Sequence, residues 1–389
     1  MIPVAGPVCD YDIAILGGGL AGLSLAVRLA EPRFAGLRVL VAEARHTYRR
    51  DRTWSYWTMP RPHPFGAAVA QSWDRWAVRA GDRQVVRDAA KVRYEAIPAD
   101  LLYELAVRRI REAPWIDLRQ GVQVDAAEGD GVVHLRVDGQ ALDAGLAFDT
   151  RPDPALGRHG LSQRFLGQEV MTAAPVFKPG TAVLMDFDGD AGTGVHFTYV
   201  LPWSPHHALV EDTWFVPPGV QCPDHRAAVR QYMARRYGVT RYETGFEETG
   251  ALPMDPVFQP VTRPGARLLP LGAPAGAGRP STGYAFNAVQ AQCDAVVDAL
   301  VRGAIPGPVV RRPVMTRFMD ATLLAMLERR PQMAAGLFAG LFARSPAGAL
   351  VRFLNDGASA MDLAAVGMAM PIGAAALGGM RHVLGRVGA

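Results

Sequence analysis

Residues 11–22 read Tyr11-Asp12-Ile13-Ala14-Ile15-Leu16-Gly17-Gly18-Gly19-Leu20-Ala21-Gly22. A short apolar run rich in strand formers passes straight into G-x-G-x-x-G, at Gly17, Gly19 and Gly22. Leu20 to Glu31 then continues as an alanine- and leucine-rich helix stopped by Pro32. In such a pattern the first glycine makes the tight turn and the second lets backbone approach a pyrophosphate. The third allows close helix–strand packing, and the helix N-terminus adds free N–H donors and partial positive charge. Leu37 to Ala42 is a second buried-type strand. Glu43 follows the glycines by about 20 residues, where a carboxylate accepts hydrogen bonds from a ribose. The stretch predicts a βαβ opening, hence a parallel sheet with helices on its faces, and a bound dinucleotide that is either FAD or NAD.

Bulk properties narrow the classes. A chain of 389 residues carries a prior of about two domains. With 49% apolar and 20% charged residues it reads as an ordinary globular protein. The net charge of +4 comes almost wholly from arginine and forms no basic tract, which argues against a nucleic-acid partner and is compatible with anionic lipid headgroups. Cys9, Cys222 and Cys293 lie far apart with no CxxC, so a reducing compartment is expected, with no disulfide framework and no metal site. The N-terminus lacks the basic leader of a secretory signal. Leu363 to Met380 is uncharged but barely long enough to span a bilayer. Pro371 with Gly367, Gly373, Gly378 and Gly379 makes it a poor spanning helix, so surface attachment or a buried helix is expected.

Along the chain, residues 51–93 read as irregular and aromatic (Trp54, Tyr56, Trp57, Trp73, Trp76), with a loop at Pro60, Pro62 and Pro64. Ala99 to Ala113 reads as a helix, and Val122 to Asp149 as strands returning to the first sheet. Strand-like segments dominate the central block, most clearly Ala182–Phe187, His196–Leu201 and Ala208–Phe215. Leu268 to Gly272 resembles one more buried strand, Tyr284 to Arg302 a helix, and the chain from Met315 onward a helical region rich in Leu, Met, Phe and Ala. The expected division is a discontinuous nucleotide-binding domain (1–160 and 262–310), a β-rich substrate domain (161–261) and a helical, hydrophobic C-terminal region (311–389).

The chemistry centres on Glu211-Asp212, set between Ala208-Leu209-Val210 and Thr213-Trp214-Phe215. Burying even neutral polar groups without partners costs roughly 2–7 kcal/mol, so such a pair suggests proton transfer in an apolar pocket. Successive strand residues face opposite sides, however, so one carboxylate can be solvated while the other pairs with an arginine. Glu247-Glu248, ahead of an expected turn at Gly250-Ala251-Leu252-Pro253, offers a second acidic site or a solvated loop. Asp186 and Asp188 share a face if they lie on a strand, and His196, His206 and His207 have no metal-site spacing. Pro280-Ser281-Thr282-Gly283-Tyr284 is expected to open a helix, with Ser281 or Thr282 as N-cap. Such a terminus holds a ring-edge oxygen or a phosphate, or is simply capped.

Taken in order, several stretches resemble the bacterial lycopene cyclase family, over nearly the whole chain. They are GGGLAG, Asp51-Arg52-Thr53-Trp54-Ser55-Tyr56, Val183-Leu184-Met185-Asp186, Phe197-Thr198-Tyr199-Val200-Leu201-Pro202 and Leu209-Val210-Glu211-Asp212-Thr213. Gly250-Ala251-Leu252-Pro253, Pro280-Ser281-Thr282-Gly283-Tyr284 and Arg352-Phe353-Leu354 complete the series. The resemblance implies an α/β fold with a Rossmann-type FAD-binding domain of the glutathione-reductase/hydroxylase type, a β-rich substrate domain and a helical C-terminal tail. It implies a redox-neutral cyclisation of lycopene end groups that needs reduced FAD, with NAD(P)H as an indirect electron source. The protein would be cytoplasmic and peripherally attached to the inner face of the cell membrane.

On that resemblance Glu211 is the main acid or base, Asp212 its partner, Asp186 lies near the same pocket, and Glu248 is a lesser candidate. Trp54, Tyr56, Tyr199 and Trp214 are candidates to stabilise a cation through their π-faces. FAD contacts fall to Gly17, Gly19, Gly22, Glu43, Thr53, Trp54, Gly272, Thr282 and Gly283. Rival readings are a flavin monooxygenase or halogenase, a polyene reductase, or a non-catalytic flavin- or lipid-binding protein. Monooxygenases of this fold usually carry Gly-Asp at the third flavin-contact strand, whereas Leu271-Gly272-Ala273-Pro274 lacks the aspartate.

Overall fold

The structure, a computed structural model, describes residues 9–370 apart from 90, 158, 190–191, 193, 259, 261, 264 and 308–311. In chain order the strands begin with β1 (Tyr11–Leu16), β2 (Val39–Glu43), β3 (Thr53–Trp57), β4 (Gln71–Trp73), β5 (Arg75–Ala80) and β6 (Arg83–Arg87). Next come β7 (Tyr94–Pro98), β8 (Ile116–Gln120), β9 (Val124–Gly129), β10 (Val132–Val137), β11 (Gln140–Asp149) and β12 (Leu161–Met171). The series ends with β13 (Thr181–Phe187), β14 (Val195–Pro202), β15 (His207–Val216), β16 (Glu243–Met254) and β17 (Leu268–Pro270). The helices are α1 (Leu20–Leu29), α2 (Ala99–Arg111), α3 (His225–Tyr237), α4 (Phe286–Val301), α5 (Val314–Arg329), α6 (Ala334–Arg344), α7 (Ala347–Leu354) and α8 (Ala360–Ala369).

The first sheet runs β8-β2-β1-β11-β10-β9, with β17 pairing the end of β11. β8, β2, β1, β11 and β17 are parallel, as the glycine-rich opening predicts. Every residue of β2 is buried, the mark of a parallel strand covered on both faces. Ile13, Ile15, Val39 and Val41 pack against α1, α2 and α4. The alternate residues Ala14, Leu16, Leu40 and Ala42 pack with Val133, Leu135 and Val137 of β10, so this face is covered by strands rather than by helices. Arg28 of α1 is buried and bonded to Asp294 (2.8 Å) and Gln290 (3.0 Å) of α4, which fixes the two helices together.

The second sheet runs β16-β12-β15-β14-β13-β5-β6, antiparallel except for β5 beside β13. Residues 75–87, expected within the nucleotide domain, lie in the second sheet as β5 and β6. The segment expected to be irregular in fact forms β3 to β6. Its arginine- and tryptophan-rich strands find their partners in β7 and β13, which local pattern does not reveal. The small β3-β7-β4 sheet is the wall between the two halves. Tyr56 and Ile97 pack in the first core, whereas Trp57, Trp73, Tyr94 and Ala96 pack in the second.

One face of the second sheet is covered by α3, whose Val229, Tyr232 and Met233 meet Leu166, Val170, Val200 and Val210. The opposite face receives the C-terminal helices. Leu323, Leu327, Phe338, Leu341, Leu350 and Phe353 pack with Trp76, Leu184, Phe197 and Phe215. Helices α5 to α8, the described part of the hydrophobic C-terminal region, are thus part of this core. Among the described residues no helix is long and apolar enough to cross a membrane. Residues 371–380 of the uncharged stretch lie outside the described residues.

Candidate active site

Strand β15 is buried on both faces, and its alternation separates the two adjacent acids. Val210, Asp212 and Trp214 point toward α3, while Leu209, Glu211, Thr213 and Phe215 point toward the C-terminal helices. Asp212 accepts hydrogen bonds from His196 Nε2 (2.6 Å), His225 Nδ1 (2.7 Å) and Trp214 Nε1 (3.1 Å). Burial alone would raise its pKa. The hydrogen bonds from the two histidines outweigh burial and hold Asp212 below the usual carboxylate range.

Asp186 sits in the same cross-strand row, opposite Thr198, which in turn faces Asp212. Arg79 (3.0 Å), Tyr232 (2.8 Å) and Arg236 (3.1 Å) all bond it, so it fastens α3 to the sheet. The expected position of Asp186 near the Glu211 pocket is therefore corrected: the pleat puts it on the other face. Asp212 likewise neighbours Glu211 in sequence but not in the pocket.

Glu211 takes one hydrogen bond from Thr213 Oγ1 (2.7 Å). Burial pushes it up to about 7, opposed by the Thr213 bond and reinforced by the charge of Asp212. The row across the sheet at this point is Tyr199 on β14, Glu211 on β15, Gly167 on β12 and Glu248 on β16. Glu248 is 4% exposed and pushed up to about 8 by burial, then by Glu211, against Thr53 and the more distant Arg50 and Arg52. It belongs to a twelve-residue strand and not to the loop before a turn expected from Gly250 and Pro253, because β12 pairs with Glu243–Met254 along nearly its whole length.

Aromatic groups enclose the carboxyls. Tyr94 OH lies 2.9 Å from Tyr199 OH and 3.3 Å from Tyr284 OH, and Trp57 meets Tyr94 and Tyr284 edge-on. Burial pushes all three hydroxyls well above the ordinary phenol range, so they stay neutral. Of the aromatics expected from sequence to face a cation, Tyr199 stands here. Trp214 stacks on His196 on the α3 face, Tyr56 stacks on Phe286 in the first core, and Trp54 packs edge-on to Tyr103.

The nucleotide-binding residues form a second group. Gly22 is forced by packing: a Cβ there would lie 1.9 Å from Gly17 O. A Cβ at Gly19 would meet nothing within 4 Å, and α1 has no side-chain cap for its first N–H groups. Glu43 accepts from Gly18 N (2.6 Å) and from Arg45 N and Nε (both 2.8 Å). Burial pushes Glu43 up, but the bonds from Arg45 and Gly18 prevail and keep it ionised. Gly272, at φ +78°, comes so close to α1 that a Cβ would lie 2.5 Å from that of Ala21.

Thr282 and Gly283 lie in the loop before α4. The expected N-cap role does not hold, because Ala285 occupies that position and Ser281 Oγ turns instead to Asp320 on α5 (2.7 Å). Gly283 packs against Gln163 and Leu252, above the Glu211 face of the sheet. Around this region Gln163 Oε1 is buried without a hydrogen-bond partner, while Thr53 Oγ1 is turned toward Glu248 and Ser55 Oγ toward Tyr199. Unsatisfied buried polar atoms are rare, and this one stands against Gly283, where a Cβ would lie 3.1 Å from it, which fits a polar ligand beside this loop. Gly167, Tyr94, Ser55 and Gln163 were not singled out from sequence. A glycine inside a strand pattern, the mark of close backbone approach, was the available signal for Gly167.

A sequence profile described as "Lycopene cyclase protein" matches residues 12–377. Lycopene beta-cyclase of Pseudescherichia vulneris is 29% identical over 308 residues, 76% of this chain and 75% of that protein. Its counterpart in Paracoccus sp. (strain N81106 / MBIC 01143) is 29% identical over 331 residues, 79% of this chain and 81% of that one. Among solved structures, p-nitrophenol 4-monooxygenase of Pseudomonas putida DLL-E4 is similar with a TM-score of 0.58 at 17% identity, covering 92% of this chain and 96% of that one. A geranylgeranyl bacteriochlorophyll reductase-like protein of Thermoplasma acidophilum gives 0.57 at 14% identity, covering 92% and 95%. Aklavinone-11 hydroxylase, solved in a ternary complex with FAD and aklavinone, gives 0.57 at 17% identity, covering 84% and 71%. These likenesses establish the α/β fold shared with such oxygenases and reductases.

Proposed function

This chain belongs to the lycopene cyclase family, and from that membership and its buried carboxyls we propose that it converts the linear end groups of lycopene, or a related polyene, to β-ionone rings by acid–base chemistry. The observation that carries the reading is Glu211: buried, near-neutral in pKa and walled by Tyr94, Tyr199, Tyr284 and Trp57. An alkene is a very weak base, so its proton donor must be a neutral acid in a site without water to quench the carbocation.

In the proposed reaction Glu211 gives its proton to the terminal double bond and the neighbouring double bond closes the ring. The aromatic faces and hydroxyl dipoles then stabilise the positive charge. Asp212 acts through the strand. Held ionised by His196 and His225, its charge keeps Glu211 protonated to higher pH.

Gly17, Gly19, Gly22, Glu43, Thr53, Trp54, Gly272, Thr282 and Gly283 are proposed to hold FAD, and the glycine turn into an α1 without a side-chain cap fits that group. Reduced flavin, with NAD(P)H as its indirect source of electrons, would supply negative charge beside the cation without net redox change. The exposed Val314, Met315, Met361 and Met368 support attachment to a membrane surface from which the polyene is drawn. Flotation with lipid vesicles tests that attachment.

Expression in a lycopene-accumulating host tests the whole reading. A pigment of unchanged mass with a shifted absorbance spectrum is the expected product. Added oxygen would identify a monooxygenase, and added hydrogen a reductase.

A further inference from the structure

A cyclisation that begins by protonating the polyene must end by taking a proton away, and the acceptor cannot be read from the motif that supplies the acid. We propose that Glu248 is that acceptor, and that Glu211 and Glu248 face one another across Gly167 and hold a single proton between them. The proposal rests on the cyclase reading.

Gly167 pairs with Glu211 on one side and with Glu248 on the other, so all three lie on one face of the sheet. Two strand spacings separate the carboxylate-bearing backbones, roughly 9–10 Å. A Cβ at Gly167 would stand 3.2 Å from Glu248 Cγ and 3.4 Å from its Oε1, so the Glu248 side chain leans over the glycine. Glu248 is 4% exposed, and the Thr53 hydroxyl approaches its carboxyl. The other groups facing the pair make poorer acceptors. Tyr94, Tyr199 and Tyr284 are neutral hydroxyls, Thr53 and Thr213 are hydroxyls, Arg50 and Arg52 are cations near Glu248, and the carboxylate of Glu169, two residues along β12, is tied to Arg50 (2.6 Å). Asp212 and His225 lie on the α3 face.

The balance closes without any co-reactant. The Glu211 O–H bond breaks as a C–H bond forms at the terminal alkene, leaving a Glu211 carboxylate. The electron pair of the neighbouring double bond forms the ring C–C bond. The Glu248 carboxylate then removes a ring proton, and the electrons of that C–H bond become the ring double bond. The product is an isomer of the substrate, and the pair still holds one proton, now on Glu248, which returns across Gly167 to reset the site.

The test uses the full-length protein with reduced flavin and lycopene in vesicles, together with infrared titration of buried carboxyls. A pair that works with one proton gives wild type a bell-shaped dependence of rate on pH. Glu248→Gln should lower kcat about 100-fold or more with little change in KM and abolish the acid limb. Glu248→Asp should restore part of the rate. Infrared titration should resolve two steps in wild type and one in Glu248→Gln, whereas in Glu211→Gln the remaining Glu248 step should move to lower pH because the like charge is gone. Gly167→Ala, which pushes Glu248 aside, should bring the two steps together. Wild-type rate and pH profile in Glu248→Gln, or a Glu248 titration that does not move in Glu211→Gln, would overturn the assignment and mean that Glu211 alone gives and takes the proton. A wild-type protein that forms no isomeric product would instead overturn the cyclase reading itself.

Discussion

At the scale of single residues, the sharpest consequence is a conflict between function and stability at Glu211. Its folded-state pKa, about 7, lies above that of an exposed glutamate. The folded chain therefore binds more protons than the unfolded chain between the two values. Stability is fully present below the unfolded value and is lost as pH rises through the folded one. Glu211→Gln removes that loss. Cyclisation should fall by about 10²–10⁴-fold. Resistance to urea at pH 8 should rise by roughly 1–3 kcal/mol relative to wild type, with little difference at pH 4. An inactive variant with unchanged high-pH stability would mean that Glu211 is already ionised when folded. Asp212 and Asp186 give contrasting expectations. Asp212→Asn removes the charge that raises Glu211, so the alkaline fall in rate should move to lower pH while the variant stays active. Asp186→Asn leaves Arg79 and Arg236 facing a neutral group and should cost about 1–3 kcal/mol, with the rate per folded molecule preserved.

Among the elements, the glycine-rich turn makes the firmest demand on packing. A methyl group at Gly22 would overlap Gly17 O, so Gly22→Ala must drive α1 away from β1. The purified variant should lose flavin absorbance and melt at lower temperature; retained flavin at wild-type stoichiometry would mean that the cofactor is not seated on this helix. The same turn was legible in the sequence because its constraint is local: three glycines, a strand before and a helix after. The acidic strand β15 was legible too, but its reading as one pocket was not, since the pleat sends adjacent residues to opposite faces. Strands β3 to β6 escaped notice because their partners lie far along the chain and their arginines and tryptophans break any simple alternation. Glu248 was displaced to a turn by the glycine and proline that follow it, although pairing with β12 holds both within a strand. Ser281 has a good N-cap residue type, yet a buried aspartate more than thirty positions later draws its hydroxyl away.

On the scale of the whole molecule, the loop before α4 and the C-terminal helices α5 and α7 meet at a buried ion pair. Arg279 and Asp320 are almost wholly inaccessible. They are joined through Nη2 at 2.8 Å and Nε at 3.2 Å, and Asp320 also takes the Ser281 hydroxyl. Arg279 further lies over the Phe353 ring and bonds the Phe353 carbonyl, so the loop that carries Thr282, Gly283 and Tyr284 is held by α5 and α7. A charge pair at such depth gains little over apolar residues of similar size, whereas losing one partner strands the other. Asp320→Ala should therefore destabilise the protein by roughly 3–5 kcal/mol. Combining Arg279→Met with Asp320→Leu should return most of that stability. If the pair serves only stability, the double variant recovers activity along with its melting temperature. If it also orients the loop, the double variant melts like wild type while binding flavin weakly and cyclising slowly, because Tyr284 no longer stands against Tyr94 beside Glu211. The second result is expected, since the Ser281–Asp320 bond sets the loop's course and no hydrophobic replacement supplies it.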